Sequence, residues 1–363
     1  QKRRDSAVKR NCEMTFDLET LVRPNIKDLV PYSSARKEFA GGATNIFLDA
    51  NENSFGSPLE TSFNRYPDPL QTEIKRIIAE WMDLSANQIF VGNGSDEAID
   101  LLLRVFCRPA LDEILITPPT YGMYEVSANI NDVLIKRVLL DSDFGLSHQR
   151  ILENSGERTK LIFLCSPNNP TGNSLEHETV LEIARNFKGI VVVDEAYIHF
   201  SREKSFVRDL KKHPNLVVLQ TFSKAWGLAG LRVGMAFASE EIITLLNRVK
   251  PPYNVSQIAQ EALLAALENK EQVETVIAEI IHEREALGEK LEKLAIVERV
   301  FPSDANFLLV KTSDANRIYH YLIEQQIVVR NRSNVELCAG CLRITIGTPE
   351  ENQTLLKALE NLR

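Results

Sequence analysis

The chain has 363 residues, of which 44% are hydrophobic and 25% charged, and 50 acidic against 42 basic residues give a formal net charge of −8. This length and composition predict a large buried core in two packed domains or one large α/β unit, and they exclude a disordered chain. The acidic balance disfavours nucleic acid as a partner, and no apolar run approaches the ~20 residues needed to cross a bilayer, so no membrane partner is expected.

The cysteines favour a reducing compartment. They are five in number, an odd count in a long chain without a secretory signal at its start, and we therefore expect a cytoplasmic protein. Cys338 and Cys341 form a CxxC pair that lacks the second pair or histidine of a zinc site, so we interpret the pair as structural.

Short apolar runs alternate with helical stretches from about Gln88 to Ser239. Several of these runs are continuous, which is typical of strands buried on both faces of a sheet. The pattern predicts a mostly parallel sheet covered by helices. The strand-like runs are Ile89 to Val91, Ile114 to Ile116, Val133 to Leu140, Leu161 to Leu164, Ile190 to Val193, Leu216 to Leu219 and Val233 to Ala238.

The pattern changes near Pro251, beyond which helical periodicity runs from Ser256 to about Leu294. A mixed segment follows, with extended runs at 305–310, 327–330 and 341–346 and helices at 314–326 and from 349 onwards. We predict an N-terminal arm and small-domain segment at 1–45, a large domain at 46–252 and a small α+β domain at 253–363.

A lysine follows one of the predicted core strands. The strand ends at Gln220, Ser223 and Lys224 come next in a glycine-containing loop, and Arg232 lies eight residues after the lysine. Open α/β sheets bind ligands at this carboxyl edge. A desolvated lysine there is nucleophilic and forms an imine with a carbonyl, whereas a solvated loop lysine is the plain alternative. Ser223 and Arg232 can bind an anion beside it.

An acid ends another predicted strand. The run from Ile190 to Val193 leads into Asp194, with Tyr197 three residues later. A helix cap or a metal ligand is the alternative, but no second acidic cluster would complete a metal site. A single buried carboxylate suits the holding of a protonated ring nitrogen, the partnership that makes pyridoxal phosphate (PLP) an electron sink.

Two further loops follow predicted strands. The segment from Cys165 to Gly172, Cys-Ser-Pro-Asn-Asn-Pro-Thr-Gly, has the composition of a turn. Gly92-Asn-Gly-Ser-Asp-Glu97 enters a predicted helix, whose free backbone N–H groups make an anion site. It is not a dinucleotide fingerprint, because Glu97 stands at the third glycine position, nor a P-loop.

These four elements, in this order, resemble the fold-type-I PLP-dependent aminotransferases. Asn169 precedes Asp194 by 25 residues and Asp194 precedes Lys224 by 30, and the resemblance covers about Tyr32 to the C-terminus. It implies a large domain with a mostly parallel sheet sandwiched by helices, a smaller α+β domain, and PLP as the cofactor.

The resemblance also implies roles for the residues that contact the cofactor ring. Lys224 would hold the cofactor as an imine and shuttle the proton, and Asp194 would pair with the ring nitrogen. Asn169 and Tyr197 would bind the phenolic oxygen, and Tyr121 would stack on the ring face.

A second implied set binds the cofactor phosphate. Tyr66 would reach the phosphate of the neighbouring subunit, which implies a homodimer. The other members of the set are Ser223, Arg232 and the backbone N–H groups of Ser95, Asp96 and Glu97.

Within the family, the chain is most similar to the histidinol-phosphate aminotransferases, which pass an amino group from glutamate to imidazole acetol phosphate in histidine biosynthesis. Arg330 and Arg343 are 13 residues apart, as in that subfamily, and Tyr32 fits its N-terminal segment. Arg343 is implied to bind either the carboxylate or the phosphate, and Arg330 to add charge for the dianion. Arg332 competes with Arg330 for that role.

Other functions remain open on the sequence alone. A threonine-phosphate type of PLP decarboxylase shares the fold, and it would need no amino acceptor. An aminotransferase for aromatic or branched amino acids is a second alternative. A non-catalytic PLP-binding regulator is less favoured, because no DNA-binding module is visible and the charge is unsuitable.

Overall fold

The computed structural model describes residues 16–32 and 46–362. Its largest element is a seven-stranded sheet in the order β1-β7-β6-β5-β4-β2-β3. Each predicted apolar run contributes one strand, and only β7, among these seven, runs against its neighbours. The mostly parallel α/β class is thereby confirmed. The strands are β1 (Ile89–Gly92), β2 (Glu113–Ile116), β3 (Leu134–Arg137), β4 (Thr159–Cys165), β5 (Ile190–Asp194), β6 (Leu216–Thr221) and β7 (Gly234–Phe237).

Helices cover both faces of this sheet. Alternation along β5 sends Val191 and Val193 into the apolar cluster on one face and Ile190 and Val192 into the cluster on the other. Burial on both faces explains why the runs are continuous rather than alternating. The helices of this part are α1 (Leu18–Leu21), α2 (Pro24–Lys27), α3 (Thr72–Met82), α4 (Ser95–Phe106), α5 (Met123–Ile130), α6 (His148–Asn154), α7 (His177–Asn186) and α8 (Glu240–Val249), with 3₁₀ turns at Ala86–Gln88, Ile198–Phe200, Phe206–Asp209 and Ala229–Leu231.

A second, antiparallel sheet follows in the order β10-β11-β9-β8. Its strands are β8 (Val297–Val300), β9 (Phe307–Thr312), β10 (Arg330–Asn331) and β11 (Cys341–Thr345), and its helices are α9 (Gln257–Leu267), α10 (Lys270–Leu291), α11 (Ala315–Glu324) and α12 (Pro349–Glu360). The extended run expected at 327–330 begins late, because the Ile327 N–H still bonds to the Leu322 carbonyl at the end of α11.

The described part of the N-terminal arm packs on the large sheet. Leu21, Val22 and Ile26 join the apolar cluster under α4, and the Arg23 N–H donates to the Val105 carbonyl at 3.0 Å. The rest of the predicted arm, 1–15 and 33–45, lies outside the described residues, and the predicted domain boundaries stay a prediction. No helix in the described ranges is long and apolar enough to span a membrane.

The CxxC cysteines lie where the two sheets meet. Cys338 and Cys341 are buried in an apolar cluster with Leu140, Phe301 and Leu309. Burial raises the pKa of Cys338 to about 12 and that of Cys341 to about 11, so both thiols are protonated near neutral pH. The pair serves the packing between the two sheets.

Candidate active site

A cavity of about 630 Å³ opens between the carboxyl edge of the large sheet and the small sheet. It forms there because β1, β2, β4, β5 and β6 all point their carboxyl ends at this edge, so the loops after them converge. The predicted site residues that line the cavity are Ser95, Asp96, Tyr121, Asn169, Asp194, Tyr197, Ser223, Lys224, Arg232, Arg330 and Arg343.

Lys224 stands in the loop after β6, with Nζ 5.8 Å from the centroid of the Tyr197 ring. Desolvation lowers the pKa of this amine, and the nearby positive charges of Arg343 and Arg232 lower it further. Both effects favour the neutral amine, which is the nucleophilic form. The site therefore contains a lysine prepared for attack on a carbonyl.

Asp194 ends β5 and is only 2% exposed. Its Oδ2 accepts from the Tyr124 hydroxyl at 2.7 Å and its Oδ1 from the Ala196 N–H at 3.1 Å. Burial raises the pKa of this carboxyl to about 6, against the lowering effect of the two hydrogen bonds. Above that pH the buried Asp194 carboxylate is negatively charged, and a cation such as a protonated ring nitrogen would stabilise it.

An anion cradle lies at the start of α4. The backbone there approaches β7 so closely that a Cβ on Gly234 would stand 2.2 Å from the Ser95 nitrogen. Gly94 has a φ of 79°, and a Cβ on it would come within 3.0 Å of Nη2 of Arg232. Free N–H groups, the Ser223 hydroxyl and a guanidinium thus converge, with Nη1 of Arg232 3.4 Å from Oγ of Ser223.

The neighbouring first-turn acids differ in their placement. Asp96 faces the cavity, where its carboxylate lies 3.5 Å from Nη2 of Arg232 and accepts from the Tyr121 hydroxyl at 3.1 Å. Glu97 does not line the cavity, and its carboxylate accepts from the Asn93 N–H at 2.5 Å and from Nδ2 of Asn254 at 2.9 Å.

The small sheet supplies the arginines. Arg330 and Arg343 are direct partners in the antiparallel β10–β11 pair. Residues opposite each other in such a pair project from the same face of the sheet, so both guanidinium groups reach the cavity. Arg343 donates through Nη1 to Oδ1 of Asn169, whose Nδ2 lies 3.4 Å from the Tyr197 hydroxyl.

Besides Glu97, two predicted residues lie away from this cavity. Tyr66 is 50% exposed, and its ring stacks on that of Tyr253 with centroids 4.4 Å apart. Tyr32 is 72% exposed. Neither lines the cavity of its own chain, and the roles implied for them stay predictions.

Sequence reasoning assigned no role to Tyr124 and left Arg332 as a competitor of Arg330. Tyr124 is fully buried and holds Asp194 from helix α5. Its signal in the sequence is its place three residues after Tyr121, the residue expected to stack on the cofactor ring. Arg332 lines the cavity two residues after Arg330, the period that returns a strand side chain to the same face.

The fold and this arrangement of lysine, buried carboxylate and anion cradle define a fold-type-I PLP enzyme. The family model for aminotransferase class I and II matches residues 48–359, and the chain belongs to that family.

The chain is also similar to individual proteins of known sequence and structure. A histidinol-phosphate aminotransferase of Parabacteroides distasonis is 53% identical over 347 residues, which cover 96% of this chain and 99% of the relative. The solved structure of the histidinol-phosphate aminotransferase from Clostridium acetobutylicum superposes with a TM-score of 0.77 at 26% identity, covering 83% of this chain and 91% of that one. L-threonine-O-3-phosphate decarboxylase from Porphyromonas gingivalis reaches 0.70 at 26%, covering 82% and 90%.

Proposed function

We propose that this protein is a PLP-dependent aminotransferase that exchanges an amino group between histidinol phosphate and 2-oxoglutarate. The observation that carries this proposal is the pairing of Arg330 with Arg343 on the wall of the cavity that holds Lys224 and Asp194. The relative that is 53% identical to this chain, a histidinol-phosphate aminotransferase, supports the proposal. We further propose histidine biosynthesis in the cytoplasm as its setting.

The cavity residues fit PLP. The cradle of N–H groups, Ser223 and Arg232 matches the phosphate; Gly94 places no side chain beside Arg232, and Gly234 lets the loop at the start of α4 pack closely against β7. Asp194 matches the ring nitrogen. When bound, the cofactor supplies an electron sink that makes the substrate carbon acidic enough to lose a proton.

Lys224 both holds the cofactor and moves the proton. Burial and the charges of Arg343 and Arg232 lower the pKa of Nζ, which favours its neutral, proton-accepting form, so we assign it the transfer of the proton from the carbon that bears the substrate amino group. Asn169 and Tyr197, whose side chains lie 3.4 Å apart, would bind the phenolic oxygen of the cofactor ring. Tyr121 would stack on the ring face.

The arginines bind both substrates in turn. A carboxylate is a monoanion that one guanidinium fork satisfies, and Arg343 can supply it. A phosphate monoester carries nearly two charges and three terminal oxygens, so Arg330 adds the charge that Arg343 alone lacks. One site can thus accept glutamate and histidinol phosphate without a change of fold.

Tyr66 motivates the proposal of a homodimer. It is exposed and lies outside the cavity of its own chain. A tyrosine in that position is available to the cofactor phosphate of a second copy, which would make each active site composite. The Glu52 carboxylate fixes this segment by accepting from the Tyr66 N–H at 2.7 Å and from Nη1 of Arg65 at 2.7 Å.

The decisive experiment follows the absorbance of the PLP-loaded protein in single half-reactions. Histidinol phosphate should convert the bound cofactor to its amino form, and 2-oxoglutarate should reverse the change. Lys224→Ala should show neither change while keeping a native circular dichroism spectrum.

Borohydride reduction of the wild type should fix the pyridoxyl label on Lys224, and a label on another lysine would refute the assignment. Release of carbon dioxide from L-threonine-O-3-phosphate in the absence of 2-oxoglutarate would favour the decarboxylase instead.

A further inference from the structure

A third arginine shares the face of the small sheet that Arg330 and Arg343 occupy. Arg332 directly follows β10, and its N–H donates to the Cys341 carbonyl at 2.9 Å, which continues the β10–β11 register by one more pair. Strand alternation therefore places Arg332 on the same face as Arg330. Arg330 is exposed, whereas Arg332 is half-buried.

Arg332 carries a positive charge that the described residues do not neutralise. Its Nε is buried without a hydrogen-bond partner, and among the described residues no carboxylate forms an ion pair with it. Glu336, an acid of the same cavity wall, is instead paired with Arg137. Burial lowers the pKa of Arg332, and the charge of Arg330 lowers it further.

Such a guanidinium is unfavourable in the free protein, because a partly buried charge without a counter-charge and an unmade buried hydrogen bond both destabilise the fold. An anion that enters the cavity supplies the missing counter-charge. The three arginines together offer more N–H donors than a carboxylate can accept, and Arg343 already uses one of its groups on Asn169. A dianion with three terminal oxygens matches the remaining donors.

We propose that Arg332 binds the phosphate group of the phosphorylated substrate, together with Arg330 and Arg343, and so sets the preference for phosphate over carboxylate substrates. This inference rests on the proposed function for the identity of the substrate. Its physical core, a phosphate site that includes Arg332, is open to measurement without any turnover.

The first test is calorimetric titration of inorganic phosphate into the PLP-loaded protein. Arg332→Gln should weaken binding about 10- to 100-fold, which corresponds to about 1.4–2.8 kcal/mol at 1.4 kcal/mol per tenfold. Arg332→Lys should fall between the wild type and Arg332→Gln, because it keeps the charge and loses the fork. Arg299→Gln, on β8 and outside the cavity, is the matched control and should bind as the wild type does.

Stability separates a ligand role from a structural one. Arg332→Gln should leave the Tm of the phosphate-free protein unchanged or raise it, because the substitution removes a partly buried charge that has no counter-charge. Phosphate should then raise the Tm of the wild type more than that of the variant. An arginine that served only the fold would lower the Tm when removed and leave phosphate binding intact.

The second test measures kcat/KM for histidinol phosphate and for glutamate in separate half-reactions. Arg332→Gln should lower the value for histidinol phosphate at least tenfold and change the value for glutamate less than about threefold. A wild type that binds phosphate but does not react with histidinol phosphate refutes the proposed function and not the phosphate site. Absence of saturable phosphate binding to the wild type, or phosphate affinity in Arg332→Gln within twofold of it, overturns the inference.

Discussion

Replacing Tyr124 by phenylalanine should shift the pH range in which the protein retains PLP. The substitution keeps the ring, which stacks on Phe163 with centroids 4.9 Å apart, and removes only the hydroxyl that donates to Asp194 at 2.7 Å. A hydrogen bond to a charged group contributes about 1.5–3 kcal/mol. At 1.36 kcal/mol per pKa unit, its loss should raise the pKa of Asp194 by about 1–2 units, from about 6.

The direction of this pH shift depends on which protonation state of Asp194 binds PLP. The carboxylate holds the protonated ring nitrogen, so cofactor affinity should fall as the pH drops through the pKa of Asp194 in the free protein. In the wild type this loss should begin near pH 6. In Tyr124→Phe it should begin about 1–2 units higher, and both proteins should bind equally well at still higher pH.

The assay is equilibrium binding of PLP to the cofactor-free protein across this pH range. Tyr319→Phe, on α11 and outside the cavity, is the matched control and should follow the wild-type profile. Superimposable profiles for Tyr124→Phe and wild type would refute the reasoning. A loss of affinity that is the same at every pH would show that Tyr124 acts through packing and not through the charge of Asp194.

Three further substitutions test the other assignments. Asp194→Asn should bind PLP more weakly than the wild type and, when saturated with PLP, should slow the half-reactions severely, since an amide cannot stabilise a ring N–H⁺; near-normal rates would contradict this. Arg330→Ala should weaken kcat/KM for histidinol phosphate by about 1.5–3 kcal/mol and that for glutamate much less, whereas Arg343→Ala should weaken both. Mixing inactive Tyr66 and Lys224 variants should restore activity in heterodimers, because one of their two sites is wholly wild type; no recovery after verified subunit exchange argues against composite sites.

Most strands of the large sheet could be predicted from the sequence, because burial on both faces produces continuous apolar runs. The antiparallel direction of β7 could not be predicted, since an apolar run has the same composition in a parallel and in an antiparallel strand. In the small domain, β8 was not predicted, because Glu298 and Arg299 stand between its two valines. A strand can be recognised from its sequence when most of its residues are buried, but not when half of them are exposed to solvent.

The residues of the candidate site also fall into those that the sequence predicted and those that it did not. Lys224, Asp194 and Asn169 each follow an apolar strand within a few residues, so chain position alone placed them at the sheet edge. The hydrogen bond between Tyr124 and Asp194 joins residues 70 positions apart, and no periodicity connects them. Arg330 and Arg332 share a strand face, so the sequence could not distinguish their roles; the pairing with β11 shows that Arg330 lies directly opposite Arg343.

The side-chain amide of Asn169 has consequences for how the two substrates alternate. Its oxygen holds Arg343 and its nitrogen faces Tyr197, so one planar group joins the wall for the incoming anion to the wall for the cofactor. The contact uses one N–H group of Arg343 and holds the guanidinium in one orientation, with its remaining N–H groups available to either substrate. The same orientation serves both half-reactions. Asn169 therefore favours neither substrate, and it leaves the choice between them to the arginines around it.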